Sequence, residues 1–192
     1  MKNKIDILFF NRQFESEPQI ALITDEKPPA RISHRVSSRQ AALTWRISMI
    51  RKFETKDTER VMQIWLEVNT EAHDFVSSDY WLSHYQSVQE QLLEADIYVY
   101  EQDEEIQGFV GMVDDYLAGI FVDKKFRSMG IGKDLLECVK KNYSAFSLNV
   151  YQKNQRAVEF YLREGLSVVS KGIDEETAET DYTMVWNQKE VK

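Results

Sequence analysis

Residues 117–136 read LAGIFVDKKFRSMGIGKDLL and predict a strand, a tight loop and a helix in succession. The apolar run at the start suits a buried strand, and Gly130 and Gly132 fall in the first turn of the helix. The first backbone N–H groups of a helix lack partners within it, and the helix dipole makes that end positive. Glycines let an anion approach the backbone, and Arg127 and Lys133 add positive charge. The stretch therefore predicts a site for a phosphate or pyrophosphate.

Two common phosphate-binding loops do not match this stretch. A Walker A loop requires glycine where this chain has Arg127, and serine or threonine where it has Asp134. A dinucleotide-binding fingerprint requires a third glycine or alanine at the position of Leu135. The alternative to a phosphate site is an ordinary tight turn between a strand and a helix.

The patterns from Met49 onward predict one mixed α/β domain. The spacing of Val61, Ile64 and Trp65 is that of one apolar helix face, and Gly165 is suited to end a later helix. Runs rich in β-branched and aromatic residues indicate strands. We predict strands over residues 50–53, 97–100, 106–113, 117–122, 146–151, 166–170 and 182–186, and helices over about 57–68, 79–95, 131–139 and 154–164.

Met49 also marks a change in composition. In this chain of 192 residues all three prolines precede it and all seven glycines follow it, and the net charge is +3 before it and −11 from it onward. We expect residues 1–48 to be a poorly packed basic extension, with Met49 as a candidate translation start. Residues 49–188 are then the functional domain, and residues 189–192 a C-terminal tail.

Composition excludes several classes of protein. A single cysteine, Cys138, rules out a disulfide framework and a multi-cysteine zinc site, and its apolar neighbours favour a packed core thiol. Three scattered histidines predict no metal site. No apolar run approaches the roughly 20 residues of a membrane helix, and no signal-peptide pattern is present, so we expect a cytoplasmic protein without a membrane partner. The acidic balance argues against a nucleic-acid partner.

A second stretch makes the pattern specific. Residues 148–166 read LNVYQKNQRAVEFYLREGL. Together with the Arg-x-x-Gly-x-Gly of the first stretch, this segment resembles the two acetyl-CoA motifs of the GCN5-related N-acetyltransferase (GNAT) family. The resemblance covers residues 49–186. It is strongest to small bacterial acetyltransferases with a His-Asp-Phe or His-Pro-Phe segment after the first helix and a Tyr-Trp pair beyond it, here residues 73–75 and 80–81.

The resemblance implies an α/β GNAT fold, with a mixed, twisted central sheet splayed between its fourth and fifth strands and helices on both faces. Acetyl-CoA would lie in the V-shaped opening. Backbone groups of the fourth strand would bond its pantetheine arm, and the amides of the glycine turn would bind its pyrophosphate. The residues that it implies for acetyl-CoA binding are Ile120, Phe121, Val122, Arg127, Ser128, Met129, Gly130, Ile131, Gly132, Lys133 and Asn154.

The resemblance also implies the reaction, in which an amine attacks the thioester directly without an acyl-enzyme. Tyr161 takes the place of the family's general acid, which protonates the departing thiolate; its alternative is a packing tyrosine. Asn154 is a candidate to bond the cofactor arm; the alternative is a plain helix cap, and both roles can hold at once. His73 is a candidate general base because imidazole titrates near neutrality. A capping or surface role is its alternative, and many family members remove the proton through water.

The sequence indicates the amine acceptor less clearly than the cofactor. Tyr80, Trp81, Asp114 and Tyr116 are candidates for the acceptor pocket, with core packing or a solvated turn as alternatives. The acidic domain favours a cationic primary amine, such as a protein lysine, an N-terminus or a small amine. A non-catalytic acyl-CoA-binding module of the same fold is the alternative function, and a tRNA-acetylating toxin is disfavoured by the charge. We expect a monomer or a homodimer.

Overall fold

The computed structural model describes residues 49–188. The predicted extension 1–48 and tail 189–192 lie outside the described residues. The described part contains seven strands and four helices in the predicted order. The strands are β1 (Ile50–Lys52), β2 (Asp96–Gln102), β3 (Glu105–Val113), β4 (Tyr116–Val122), β5 (Ala145–Tyr151), β6 (Ser167–Ile173) and β7 (Thr180–Asn187), and the helices are α1 (Thr58–Ala72), α2 (Ser78–Gln91), α3 (Ile131–Asn142) and α4 (Gln155–Arg163).

The strands form one sheet in the order β1-β2-β3-β4-β5-β7-β6. All neighbours are antiparallel except β4 and β5, which run parallel and pair only at Tyr116 and Ser147. The backbone N–H of Ser147 donates to the carbonyl of Asp115 at 3.0 Å. Beyond this point the two strands separate, so the predicted mixed sheet, splayed between its fourth and fifth strands, is confirmed.

Helices cover both faces of the sheet, as the fold class requires. Helices α1 and α2 pack on one face, and α1 turns Val61, Ile64 and Trp65 inward with at most 2% exposure. Helices α3 and α4 cover the other face, around Leu135 and Leu148. The sheet therefore lies between two separate apolar cores. Burying each large apolar side chain contributes about 1.5–3 kcal/mol to the free energy of unfolding.

Strand β4 carries a bulge where it enters the opening. Gly111 pairs with Gly119 and Met112 pairs with Leu117, which leaves Ala118 without a paired residue on β3. A Cβ at Gly119 would lie 2.6 Å from the ring of Phe121, so any larger residue at this bulge would have to displace that buried ring. The bulge lets β4 bend away from β5.

Two sequence expectations differ from the structure. The second helix ends at Gln91, earlier than predicted, because the residues after it turn toward β2. The prediction that Cys138 is a core thiol is wrong: its side chain is half-buried, since Leu135, Leu136 and Val139 occupy the inward face of α3. Burial still raises the pKa of its thiol. Within residues 49–188 no helix has the length and apolar character needed to span a membrane, and no group of His, Cys, Asp or Glu side chains is placed to hold a metal ion.

Candidate active site

A groove of about 1070 Å³ lies where β4 and β5 separate. One wall consists of the end of β4 and the loop that leads into α3, and the opposite wall is α4 with the turn before it. The C-terminal part of α1 adds Val68, Glu71 and Ala72. The groove is therefore built by both stretches that the sequence singled out.

The N-terminus of α3 forms the polar end of the groove. Gly130 is the N-cap residue with φ of 91°, a left-handed conformation that favours glycine. Its carbonyl accepts the N–H of Asp134 at 3.0 Å, which closes the first helical turn. The amides of Ile131, Gly132 and Lys133 have no acceptor within the helix. A Cβ at Gly132 would lie 3.8 Å from both Phe160 and Val122, so this glycine keeps the space between the two walls open.

Two cations from the sequence prediction stand at this end, each beside a carboxylate. The guanidinium of Arg127 lies 2.9 Å from Glu71, which also binds Lys124 at 3.1 Å. The ammonium of Lys133 lies 3.7 Å from Glu164 across the groove. Glu71 therefore holds Arg127 against the wall, while Lys133 is exposed and adjustable.

The opposite wall supplies three cations that the sequence reasoning missed. Lys153, Arg156 and Arg163 all line the groove. Arg156 and Arg163 are seven residues apart, which places them on one helix face. The seven-residue spacing is visible in the sequence, but whether that face of α4 points into the groove depends on how the helix packs. Cations on both walls, a helix N-terminus and the apolar side chains of Ile120 and Phe160 fit acetyl-CoA, which combines phosphates with an uncharged arm.

Most of the predicted cofactor residues meet in the groove. Nine of the eleven line it: Ile120, Val122, Arg127, Ser128, Gly130, Ile131, Gly132, Lys133 and Asn154. The side chain of Phe121 instead packs on the other face, stacked on Phe109 with ring centroids 4.7 Å apart, because side chains alternate along a strand. Met129 is 54% exposed and lies outside the groove lining. Phe121 can therefore contribute only backbone groups to the groove.

Tyr161 lines the groove from α4 with a buried ring that is 7% exposed. Burial raises the pKa of its hydroxyl above the usual value, because the phenolate would lose its hydration. The hydroxyl therefore keeps its proton at neutral pH, as a proton donor must.

Asn154 caps α4 at the edge of the groove. Its Oδ1 accepts the N–H of Ala157 at 3.2 Å, and its Nδ2 lies 3.1 Å from Nε2 of His73. Asn154 is thus a helix cap that also lines the groove, and its contact with the cofactor stays a prediction.

His73 lies behind Asn154, outside the groove lining, and is 7% exposed. Burial lowers the pKa of its imidazole to about 4, although the nearby carbonyl of Asn69 and the charge of Asp74 oppose this shift. The ring is neutral at physiological pH, and its Nε2 already has a partner. Both features disfavour the predicted general-base role, because a base near neutrality needs a solvent-accessible nitrogen with a higher pKa.

The four candidate acceptor residues do not form one cluster. Trp81 is buried and stacks on His73, with ring centroids 5.3 Å apart, so it is a core residue. Tyr80 donates its hydroxyl hydrogen to Glu176 at 2.7 Å, which joins α2 to the β6–β7 loop. Asp114 lies in the exposed β3–β4 turn. Tyr116 is half-buried at the point where β4 meets β5. None of the four lines the groove.

A buried polar pair lies on the neighbouring strands β5 and β7, and the sequence reasoning missed it. Nδ2 of Asn149 donates to the carboxylate of Asp181 at 2.7 Å, and both side chains are buried. Within the described residues, Oδ1 of Asn149 has no hydrogen-bond partner. The alternation of Asn149 with apolar neighbours was visible in the sequence, but its partner depends on the register between β5 and β7.

Known proteins are similar to this chain in both sequence and fold. A model of the acetyltransferase (GNAT) domain matches residues 94–165. The peptidyl-lysine N-acetyltransferase YiaC of Escherichia coli K12 is 34% identical over 140 residues, which are 72% of this chain and 96% of that protein. The solution structure of apo-form YjaB from Escherichia coli superposes with a TM-score of 0.64 at 24% identity, over 71% of this chain and 95% of that one.

A further solved structure has the same fold with its ligand bound. The crystal structure of PaiA N-acetyltransferase from Thermoplasma acidophilum in complex with coenzyme A superposes with a TM-score of 0.62 at 18% identity, over 72% of this chain and 97% of that one. The match to the family model, the near full-length coverage of YiaC and the splayed sheet agree with one another. The chain is a member of the GNAT family of acetyltransferases.

Proposed function

We propose that this protein transfers the acetyl group of acetyl-CoA to the ε-amine of a lysine in a peptide or protein. The observation that supports the proposal is the groove itself, which is lined both by the N-terminal turn of α3 and by Tyr161 of α4. The relative YiaC, named a peptidyl-lysine N-acetyltransferase, supports the choice of acceptor.

The residues of the groove divide the work of binding. The amides of Ile131, Gly132 and Lys133 would hold the pyrophosphate, with Arg127 and Lys133 as counter-charges. The backbone of β4 from Ile120 to Val122 has no strand paired on its β5 side in the described part of the chain. It would bond the pantetheine arm as an added strand does. When bound, acetyl-CoA supplies a thioester whose carbonyl an amine can attack.

Tyr161 would serve as the general acid. The ordinary pKa of a tyrosine hydroxyl, about 10, already keeps its proton in place at neutral pH, and burial raises that pKa further. A hydroxyl aimed at the departing sulfur stabilises the developing thiolate, and such a group contributes roughly 10²- to 10⁴-fold to the rate.

Removal of the amine's proton is assigned to water. A lysine amine has an ordinary pKa of about 10.4 and attacks only after losing a proton. His73, the candidate base, is buried and bonded to Asn154. We therefore propose that the proton leaves through water on the acceptor side.

The proposal includes the surroundings in which the enzyme works. A net charge of −11 from Met49 onward favours a cationic lysine substrate over nucleic acid or an anionic membrane surface. We propose a cytoplasmic location, where acetyl-CoA is available, and a monomer or homodimer, which sedimentation velocity would distinguish. The alternative of a non-catalytic acyl-CoA-binding module is not favoured, since the relative YiaC is named as an enzyme.

A panel of amines tests the proposal. CoA release is measured with acetyl-CoA and three acceptors: a lysine peptide with a blocked N-terminus, the same peptide with arginine in place of lysine, and a small diamine. We expect release with the lysine peptide and none with its arginine counterpart. Tight acetyl-CoA binding with no release on any acceptor would instead identify a binding module, and release with the diamine alone would exclude a peptide lysine as the acceptor.

A further inference from the structure

His73 is a buried histidine surrounded by three aromatic rings. Its ring stacks on Trp81 and meets the edges of Tyr151 and Phe75, with centroid distances of 5.3, 5.2 and 5.7 Å. Its backbone N–H donates to Asn69 at 3.0 Å, and its carbonyl accepts from the N–H of Val76 at 2.9 Å. The backbone of His73 is therefore anchored at both ends, and three aromatic rings surround the imidazole.

The Nε2 side of the ring faces Asn154, and the chemistry of the contact is determined. Oδ1 of Asn154 accepts the N–H of Ala157, so its Nδ2 must be the group that faces Nε2 of His73. An amide nitrogen only donates, so Nε2 accepts and the proton of the neutral imidazole is on Nδ1. If the amide of Asn154 were rotated by half a turn, Nδ2 would face the N–H of Ala157, and the cap of α4 would be lost.

Burial of Nδ1 of His73 is energetically unfavourable. This nitrogen is buried and makes no hydrogen bond of normal geometry among residues 49–188, although the backbone carbonyl of Asn69 lies near the ring. An unpartnered polar atom in a core is unfavourable, and a phenylalanine would fill an aromatic cluster without that cost. The bond from Asn154 to Nε2 is the polar contact that only the histidine ring provides at this place.

We propose that His73 is a positioning residue: through Nε2 it holds the amide of Asn154 in the orientation that caps α4 and faces the acetyl-CoA groove. This inference rests on the proposed function only in taking acetyl-CoA as the ligand of the groove. It assigns to His73 a role in cofactor binding instead of proton abstraction.

Calorimetric titration with acetyl-CoA tests the proposal without any need for turnover. His73→Phe keeps an aromatic ring at this position but removes Nε2, which accepts the hydrogen bond from Asn154. We expect acetyl-CoA affinity to fall about 3- to 10-fold, which corresponds to the loss of one hydrogen bond. His73→Gln presents an acceptor oxygen again, and we expect most of the affinity to return. Trp65→Phe changes the packing around Trp81, whose ring lies 6.1 Å from that of Trp65, without touching Asn154, and it should leave the affinity unchanged.

A double-mutant cycle separates positioning from a merely structural role. If His73 acts through Asn154, the pair His73→Phe and Asn154→Ala loses no more affinity than Asn154→Ala alone. In steady-state kinetics the KM for acetyl-CoA rises while the KM for the peptide does not. Additive losses, wild-type affinity of His73→Phe, or equal losses in His73→Phe and Trp65→Phe would each overturn the proposal.

Nitrogen NMR on the intact chain supplies a readout independent of any acceptor. We expect the His73 ring to be neutral with its proton on Nδ1, and a proton on Nε2 would contradict the assignment. Because binding and tautomer are measured in the absence of an amine, failure of lysine acetylation would refute the proposed acceptor and leave this test intact.

Discussion

Substitution of Gly132 by alanine is expected to weaken acetyl-CoA binding without destabilising the fold, so it tests the two properties separately. In Gly132→Ala the added Cβ would lie 3.8 Å from Phe160 and from Val122 and 3.9 Å from Ile120, which are ordinary contacts, so the protein accommodates it. Alanine is also favoured over glycine in helices by up to about 1 kcal/mol. The methyl group nevertheless occupies the space through which a phosphate must reach the amides of α3. Losing one charge-assisted hydrogen bond of about 1.5–3 kcal/mol raises the acetyl-CoA Kd roughly 10- to 150-fold.

Calorimetry and thermal melting on the same samples measure both effects. We expect Gly132→Ala to melt at or above the wild-type temperature and to bind acetyl-CoA more weakly by that factor. Gly111→Ala is the matched control, because its Cβ would meet only Ala118 at 3.9 Å, away from the groove. Unchanged acetyl-CoA affinity in Gly132→Ala, or an equal loss in Gly111→Ala, would refute the assignment of the pyrophosphate site.

Three further predictions concern the acid, the turn and an ion pair. Tyr161→Phe lowers kcat by roughly 10²- to 10⁴-fold while calorimetry finds acetyl-CoA affinity nearly unchanged; full activity would remove Tyr161 from the acid role. Gly130→Val forces a β-branched residue to a φ of 91° and abolishes acetyl-CoA binding, which a titration checks; a wild-type Kd would count against the turn. Asp57→Asn lowers the free energy of unfolding at pH 7 by about 1–3 kcal/mol, since Asp57 is bonded to Arg51. Burial alone would raise the pKa of Asp57, but hydrogen bonds from Arg51 and the Glu54 N–H lower it. The stabilisation that the Asp57 carboxylate provides is therefore fully present above its pKa in the unfolded chain, about 3.9, and is lost as the pH falls through its lower pKa in the folded protein. Denaturant melts of the wild type and Asp57→Asn should therefore converge in acid.

The parts of the fold and site that the sequence predicted are those set by neighbouring residues. The glycine turn and the helix after it depend on a left-handed residue at Gly130 and on a free helix end, both of which are local properties. The groove residues Ile120 and Val122 follow from alternation along one strand. The same alternation turns Phe121 to the opposite core, which the resemblance alone did not reveal.

The parts that the sequence could not predict depend on contacts between distant segments. His73 and Asn154 are 81 residues apart, and only the packing of the α1–α2 connection against α4 brings them together. The histidine's low pKa follows from that burial, so its suitability as a base could not be judged from residue type. The pair of Asn149 and Asp181 likewise depends on strand register.

The most direct test of the central claim is mass spectrometry of a single-lysine peptide with a blocked N-terminus, incubated with the full chain and acetyl-CoA. The expected result is a peptide heavier by one acetyl group, with the fragment ions placing it on the lysine ε-amine. The arginine version of the peptide should stay unmodified, and the yield should fall in both Tyr161→Phe and Gly132→Ala. An unmodified lysine peptide in the presence of bound acetyl-CoA, or equal yields from the wild type and both variants, would contradict the account.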